Sequence, residues 1–279
     1  MTFTILAMIA FAANSLLNRL ALGNSTVDAS SYTAMRLVSG AIMLGVIGTA
    51  TKEKGWIIQR GNWQSAAFLF LYAIAFSFAY LSLNTGTGAL LLFGSVQLTM
   101  ILAALYNREC PSILEWMGLF LALGGLVYLV FPGLKAPSPL GSMLMVAAGI
   151  SWGFYTLRGR GSSDPLADTA SNFIRAVPFV LVISLFNAKN IHLSTYGLIL
   201  AGISGAITSG LGYVIWYAAL RGLTTTRAAT VQLAVPVLAA WGGIIFLSEE
   251  VSFRLLLAGI LVLGGIGLAV LGRGRTVIK

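Results

Sequence analysis

The sequence predicts an all-α membrane protein with ten transmembrane helices, arranged as two five-helix repeats of inverted topology. Three observations lead to this fold class. The 279 residues are 58% hydrophobic and only 9% charged, whereas about a quarter of a soluble domain is charged. Ten apolar stretches follow one another, each of about 17–25 residues, the length that crosses a bilayer core. A segment of the first half also recurs in the second half.

The apolar stretches are predicted to be helices. In lipid, each backbone hydrogen bond must be made within a segment or in a closed barrel. The stretches lack the strict alternation of barrel strands, which favours helices. The first begins near the N-terminus without a cleavage-like site and is interpreted as a retained helix. The predicted spans are approximately 3–22, 30–50, 63–83, 87–106, 113–131, 139–157, 168–187, 194–218, 225–247 and 252–271.

The basic residues between the spans predict the orientation. With the N-terminus in the cytoplasm, eleven Lys and Arg residues lie in inside loops and three in outside loops, as the positive-inside rule requires. Arg19, Arg36 and Arg175 lie within span ends and are not counted. Both termini are therefore predicted to be cytoplasmic. The inside residues are Lys52, Lys54, Arg60, Arg108, Arg158, Arg160, Arg221, Arg227, Arg273, Arg275 and Lys279, and the outside residues are Lys135, Lys189 and Arg254.

The repeat sets the domain organisation. Residues 83–130 match residues 223–270 without a gap, and the match includes Glu109 with Glu249 and the Gly-Gly pairs 124–125 and 264–265. At an offset of 139, Arg19 also meets Arg158 and Arg36 meets Arg175. Five spans per half is an odd number, so the second half must enter the membrane inverted, as in alternating-access carriers. The proline-rich stretch 132–139 is the predicted linker, because Pro ends one helix and is tolerated at the start of the next. The repeats are assigned to residues 1–134 and 135–279.

These features resemble a known family. The chain resembles members of the drug/metabolite transporter superfamily, EamA type. The resemblance rests on the two five-helix halves, the spacing from Pro236 to Glu249 and the Gly-Gly pair in the last helix of each half. Within it, the segments 151–155 (SWGFY) and 212–216 (GYVIW) resemble YddG-type exporters of aromatic amino acids. The chain departs from an even repeat at Val96, which stands where the second half has Pro236, and at Ala13, which stands opposite Trp152.

Charge and cysteine content argue against other classes of protein. The net charge of +9 is scattered between apolar spans, so a nucleic-acid surface is not predicted. The single cysteine, Cys110, excludes an internal disulfide and shows no metal-ligand spacing. We predict neither an enzyme nor a cofactor or metal site.

The acidic residues lie at helix ends or in loops, and no span carries a carboxylate near the middle of the membrane. One of them, Glu249, is a candidate to pair with Arg254. Because coupled carriers usually keep ionisable groups at membrane depth, gradient-driven transport without a tightly coupled ion is the working hypothesis.

The candidate substrate site consists of amide and aromatic side chains inside the spans, which is the usual lining of a small-molecule pocket. Residues three or four apart share a helix face, as Trp152 and Tyr155 do. Packing is the alternative role for the aromatic residues, and interhelical hydrogen bonding for the amides. A buried indole N–H, however, needs a partner or a cavity with water. The candidates are Asn14, Asn18, Phe76, Tyr80, Gln97, Trp152, Tyr155, Tyr213, Trp216 and Gln232, with the Ser15 hydroxyl beside them and Pro236 as the candidate gating residue.

The predicted function is export of small amphipathic metabolites across the bacterial inner membrane, with aromatic or large apolar amino acids as the first choice of substrate. Amide, hydroxyl and indole groups can hydrogen-bond an amino acid's carboxylate and ammonium, but aromatic faces suit a lipophilic cation equally well. A multidrug or other metabolite exporter of the same fold therefore remains open, as does a membrane scaffold subunit without transport activity. The expected partners are membrane lipid and a small-molecule substrate, and the protein is expected to be a monomer that binds no nucleic acid.

Overall fold

A computed structural model describes residues 2–51, 61–106, 112–131, 136–160, 162–187, 191–221, 231–232 and 234–273. Across these residues the regular secondary structure is helical, apart from one isolated antiparallel bridge between Val27 and Leu193. The elements are α1 (Thr2–Gly23), α2 (Ala29–Thr51), α3 (Trp63–Ala79), α4 (Thr85–Tyr106), α5 (Ile113–Val130), α6 (Pro139–Gly159), α7 (Pro165–Phe186), α8 (Thr195–Ile203), a π-helical segment (Ser204–Leu211), α9 (Gly212–Leu220), α10 (Ala234–Leu247) and α11 (Phe253–Arg273).

Several residues used in the sequence analysis lie outside the described residues. Among them is Glu109, which the repeat matches with Glu249. Part of the predicted linker, residues 132–135, also falls outside. The other residues are Lys52, Lys54, Arg60, Arg108, Cys110, Lys135, Lys189, Arg227, Arg275 and Lys279.

The helices are long and apolar, as membrane spans require. Six described stretches have the length and composition to cross a membrane, and four shorter apolar helices accompany them. One of the six, Thr195–Leu220, runs through α8, the π-helical segment and α9 without a break. Large apolar side chains such as Ile5, Ile9 and Phe120 are exposed on the outer faces of their helices, where lipid would cover them.

Two elements differ from the sequence prediction in an informative way. The third helix was predicted to extend to residue 83 but ends at Ala79, and Tyr80 caps it by donating its N–H to the carbonyls of Phe76 and Phe78. The eighth span was predicted as one regular helix, yet it changes to π-helical geometry over Ser204–Leu211. π-Helical turns within α-helices occur often at functional sites, and this eight-residue segment contributes three side chains to the site described below.

The helices of the two sequence halves pack on each other. Helix α5 lies along α11, and α2 lies along α7. Helix α6 packs on α3 and α4, while α1 packs on α8, the π-helical segment, α9 and α10. The first helix of each half is thus surrounded by helices of the other half, and the centre of the molecule lies between α1, α2, α3, α6, the π-helical segment and α9.

Hydrogen bonds from backbone N–H groups to aspartate carboxylates join the two halves at both ends of the bundle. At one end, Asp28 Oδ2 accepts from the backbone N–H of His192 at 3.1 Å, just before α8. At the other, Asp168 Oδ1 accepts from the backbone N–H of Gly61 at 3.1 Å, just before α3. Each carboxylate therefore holds the start of a helix from the opposite half.

Candidate functional site

An aromatic cluster occupies the centre of the bundle, with Trp152 of α6 in its middle. The Trp152 ring lies 4.6 Å from that of Tyr213, 4.9 Å from Tyr72, 5.5 Å from Tyr155 and 5.6 Å from Phe11, between ring centroids. Offset and edge-to-face contacts of this kind stabilise rings beyond simple burial. We call the following set the aromatic cluster: Phe11, Tyr72, Phe76, Trp152, Tyr155, Tyr213 and Trp216.

The cluster closes around a cavity of about 10 Å³, room for about one water molecule. Small-molecule pockets in proteins have volumes of about 300–1,000 Å³. The site is therefore shut in this conformation, and a ligand enters only when the surrounding helices or side chains move apart. The lining residues are Phe11, Asn14, Ser15, Tyr72, Phe76, Leu92, Phe93, Trp152 and Tyr213.

Two indole N–H groups of the cluster have no hydrogen-bond partner. Trp152 and Trp216 are 2% and 0% exposed, and neither Nε1 atom has an acceptor in the part of the chain that the structure describes. Buried polar groups without a partner are rare because each costs free energy. Two such donors in one cluster around a closed cavity are what a site for a polar ligand would contain.

A buried polar network borders the cluster, and Asn14 of α1 is its hub. Asn14 Nδ2 donates to the Tyr72 hydroxyl at 3.2 Å. Its Oδ1 atom accepts from the hydroxyls of Ser204 at 2.7 Å and Thr208 at 3.2 Å. Asn18, one turn further along α1, donates to the Asn14 carbonyl at 2.8 Å. The side-chain amide at position 14 thus ties α1 to both α3 and the π-helical segment.

Arg36 of α2 joins this network, although the sequence analysis left it aside as a charge at a span end. The side chain is only 1% exposed. Its Nε atom donates to Ser209 Oγ at 2.9 Å, and Nη2 donates to the hydroxyls of Tyr72 at 3.1 Å and Tyr213 at 2.8 Å. The site therefore contains a full positive charge, which the predicted set of neutral amide, hydroxyl and indole groups did not include.

The π-helical segment positions the hydroxyl side of the network. The wider turn brings Ser204, Thr208 and Ser209 towards α1 and α2, where they bond Asn14 and Arg36. Gly205 makes this approach possible, because a Cβ at that position would overlap the Arg36 carbonyl oxygen and Ser39 Oγ. A larger residue at 205 would separate α2 from the segment.

The structure brings together five of the predicted site residues at the cavity: Asn14, Ser15, Phe76, Trp152 and Tyr213. Tyr155 and Trp216 are in the aromatic cluster but do not line the cavity. The centroid of the Tyr80 ring lies 4.8 Å from that of Phe76. Asn18 donates a hydrogen bond to the backbone carbonyl of Asn14. Gln97 and Gln232 are buried but do not line the cavity. Pro236 lies apart from it, in an apolar groove of about 530 Å³ between α4, α10 and α11.

Sequence reasoning missed three prominent members of the site. Phe11 lies three residues before Asn14, so helical spacing places it on the same face. Tyr72 is four residues before Phe76, and the same rule would have found it. Arg36 was the easiest of the three to find, because a charged residue inside a membrane span usually belongs to a functional site.

An ion pair ties together the ends of four helices, α1, α3, α4 and α10, at one end of the bundle. Arg19 Nε lies 3.1 Å from Glu249 Oε1, and Arg19 Nη1 donates to the Tyr80 carbonyl at 3.2 Å. Glu249 Oε2 accepts from the backbone N–H of Thr85 at 2.8 Å, at the start of α4. The predicted pairing of Glu249 with Arg254 is not what forms, because Arg254 donates instead to the carbonyls of Leu129 and Phe131.

Comparison with known proteins gives the family. The EamA-like transporter family matches residues 139–271. An uncharacterized protein of Pseudomonas aeruginosa is 50% identical over 265 residues, which are 95% of this chain and 92% of that protein. The uncharacterized transporter YyaM of Bacillus subtilis is 27% identical over 64% of this chain and 64% of its own length. A second uncharacterized transporter of that organism, YoaV, is 23% identical over 57% of this chain and 57% of its own length.

A solved crystal structure of a protein has the same fold. It matches 95% of this chain and 98% of its own, with a TM-score of 0.66 and 19% sequence identity. A closed site in the middle of a multi-pass helical bundle, together with these relatives, defines a membrane transporter of the drug/metabolite class. The chain belongs to the EamA-like transporter family. Its members are transporters, which confirms both the predicted family and the prediction that the protein is not an enzyme.

Proposed function

We propose that this protein exports aromatic or large apolar amino acids across the bacterial inner membrane by alternating access. The observation that carries the proposal is the closed aromatic cluster with unpaired indole donors, directly beside a buried polar network. Aromatic rings offer a face to an aromatic side chain, and hydroxyl, amide and indole groups offer hydrogen bonds to the amino and carboxyl groups. Asn14, Tyr72 and Trp152 lie near the middle of their helices, where carriers of this architecture hold their substrate.

The proposal includes ten spans in two inverted five-helix halves, residues 1–134 and 135–279, with both termini in the cytoplasm. The swapped packing supports the repeat, because α6 contacts α3 and α4 as α1 contacts α8 and α10. Asp28 and Asp168 also lie 140 residues apart and hold the starts of α8 and α3 in the same way. The excess of basic residues in the inside loops supports the orientation.

A flux assay tests the substrate. Proteoliposomes that contain the purified protein are loaded with labelled Phe, Trp, Leu or Lys. Release of each amino acid is then measured with and without an imposed pH or sodium gradient. We expect selective flux of Phe and Trp, driven by their own gradients. A strict requirement for an imposed ion gradient would overturn the uncoupled mechanism. Absence of amino acid flux, with transport of cationic dyes in the same vesicles, would overturn the substrate assignment.

The Arg19–Glu249 ion pair is proposed to close the outer face of the carrier, since the predicted orientation puts these helix ends outside. Changing Glu249→Gln removes the charge that holds Arg19 and weakens the bond to the start of α4. We expect the outer face to open more often. The measurement uses Ser15→Cys, at the cavity, in a Cys110→Ser background. A membrane-impermeant thiol reagent added outside should label this cysteine several-fold faster in the Gln variant.

The control for this experiment is Arg254→Gln, which removes an outer charge that contacts carbonyl groups at the end of α5 and the ring of Tyr128. It should leave labelling of the Ser15→Cys protein unchanged. Equal labelling rates in the Glu249→Gln and unmodified backgrounds would show that the ion pair does not close the outer face.

Pro236 is proposed to act as a gating residue. Pro236 lies in the first turn of α10, and proline has no N–H to donate to the carbonyl of Gln232 one turn earlier. Changing Pro236→Ala supplies that donor and should stiffen the start of α10. We expect the maximal rate of transport to fall several-fold while substrate affinity changes little, measured as concentration-dependent flux. Val237→Ala, at the neighbouring half-exposed position, is the control, and an unchanged maximal rate in Pro236→Ala would exclude a hinge there.

A further inference from the structure

Arg36 is a buried cation without an anionic partner. It is 1% exposed inside a membrane-spanning helix. Among the residues whose side chains the structure describes, the hydrogen-bond partners of Arg36 are hydroxyl groups, and the ion pair is Arg19–Glu249. Burying a charge in a membrane protein is costly, and such residues are rare unless they are used. Packing alone therefore gives no reason for an arginine at position 36.

The hydrogen bonds of the guanidinium leave one nitrogen open. Its Nε atom is used by Ser209, and Nη2 by Tyr72 and Tyr213. The Nη1 atom, which carries two N–H groups, is buried and has no acceptor among the described residues. The rings of Tyr72 and Phe76 lie 5.2 and 5.3 Å from the guanidinium carbon. These ring faces stabilise the positive charge in part but accept none of its N–H groups.

The residues that hold Arg36 also line the closed cavity. Tyr72, Phe76 and Tyr213 contact both the guanidinium and the empty space. Asn14, which lines the same cavity, shares the Tyr72 hydroxyl with Arg36. The positive charge is thus separated from the cavity by single side chains. If Tyr72 and Tyr213 move away from Nη2 when the site opens, the guanidinium, with Nη1 already unpaired, comes to lie at the wall of the opened cavity.

We propose that Arg36 binds the carboxylate of the transported substrate through Nη1, and that the site consequently rejects lipophilic cations. A guanidinium forms strong, charge-assisted hydrogen bonds with carboxylates. A cationic ligand in the same cavity would face a like charge in a medium that screens it poorly. The inference rests on the proposed function for the aromatic part of the substrate, but the requirement for an anionic group follows from Arg36 alone.

Three ligands that share one ring test the proposal. L-phenylalanine carries both charged groups, 3-phenylpropionate only the carboxylate, and phenethylamine only the ammonium. Binding to the purified full-length protein in nanodiscs is followed by tryptophan fluorescence, since Trp152 and Trp216 belong to the cluster around the cavity. We expect L-phenylalanine and 3-phenylpropionate to bind, and phenethylamine to bind about 10- to 100-fold more weakly, the range for loss of a charge-assisted hydrogen bond. Phenethylamine binding as tightly as L-phenylalanine would overturn the proposal.

The variant Arg36→Gln separates this role from a structural one. We expect it to lose affinity for both carboxylates by about 10- to 100-fold while phenethylamine binds as well as before or better. Arg36→Lys, which keeps the charge but not the planar fork, should recover part of the preference. Equal weakening of all three ligands in Arg36→Gln would assign Arg36 to packing. If Arg36→Gln does not fold, the comparison of the three ligands in the unmodified protein still tests whether the site requires a carboxylate and rejects a cation.

Aliphatic ligands distinguish failure of this inference from failure of the proposed function. If 4-methylpentanoate binds in an Arg36-dependent way and no aromatic compound binds, the aromatic substrate is wrong and the carboxylate site stands. If all aromatic ligands bind regardless of their carboxylate, the aromatic site stands and the role of Arg36 is wrong.

Discussion

Replacing Trp152 by alanine is expected to abolish selective transport of aromatic substrates. The indole contacts four rings, three of them on other helices, and alanine removes all four contacts at once. Each such ring pair contributes about 0.5–1.5 kcal/mol beyond its burial. If the substrate ring uses the same faces, its loss should lower Phe and Trp flux at low concentration about 100-fold. The flux of Phe relative to Leu in proteoliposomes is the measurement.

Trp152→Ala also leaves a hole, so its folding must be measured beside its flux. Truncating a buried tryptophan costs about 3–5 kcal/mol in a well-packed core, which should lower the melting temperature in detergent. Trp152→Phe keeps a ring but removes the unpaired N–H, and we expect it to retain stability while losing affinity. Trp241→Ala is the matched control, because Trp241 is 61% exposed on α10. Unaltered discrimination between Phe and Leu in a folded Trp152→Ala protein would show that the cluster only packs.

The helices could be predicted because the bilayer leaves few alternatives. Each predicted span overlaps an observed helix, since apolar stretches of this length must satisfy their backbone internally. The end of α3 could not be placed, because the chain turns at Tyr80 into a loop whose next helix is capped by Glu249. That contact spans 164 residues, and no local pattern encodes it. The π-helical segment was missed for a related reason, since its geometry depends on Gly205 meeting the α2 backbone.

The candidate site was predictable where a residue stood out from its own helix. Asn14 and Trp152 are polar or aromatic groups in apolar surroundings, and both line the cavity. Arg36 stood out equally but was assigned to a span end, because its burial comes from tyrosines of α3 and α9 that the sequence does not place beside it. Tertiary contact, not local pattern, makes this arginine an interior charge. The predicted set of neutral residues therefore omits Arg36, which bonds two tyrosines that line the cavity.

Changing Asn14→Asp is expected to reverse the charge preference of the site. Asn14 Nδ2 and Arg36 Nη2 both donate to the Tyr72 hydroxyl, at 3.2 and 3.1 Å, so the two nitrogens are no more than 6.3 Å apart. An aspartate at this position would keep the acceptor for Ser204 and Thr208 and place a negative charge beside the guanidinium. The introduced carboxylate would pair with Arg36 in place of a carboxylate ligand, which would lose its counter-charge and meet a like charge as well.

We therefore expect the Asn14→Asp protein to bind 3-phenylpropionate at least about 100-fold more weakly, since it loses one charge-assisted contact and gains one repulsion. Phenethylamine should bind more tightly than in the unmodified protein. Asn18→Asp is the control, because Asn18 lies one turn further along α1 and bonds Asn14 rather than Tyr72. It should keep the preference for carboxylates. If Asn14→Asp binds the carboxylate as well as Asn18→Asp does, the electrostatic potential at the cavity is not set by Arg36, and the charge on the substrate is recognised elsewhere in the carrier.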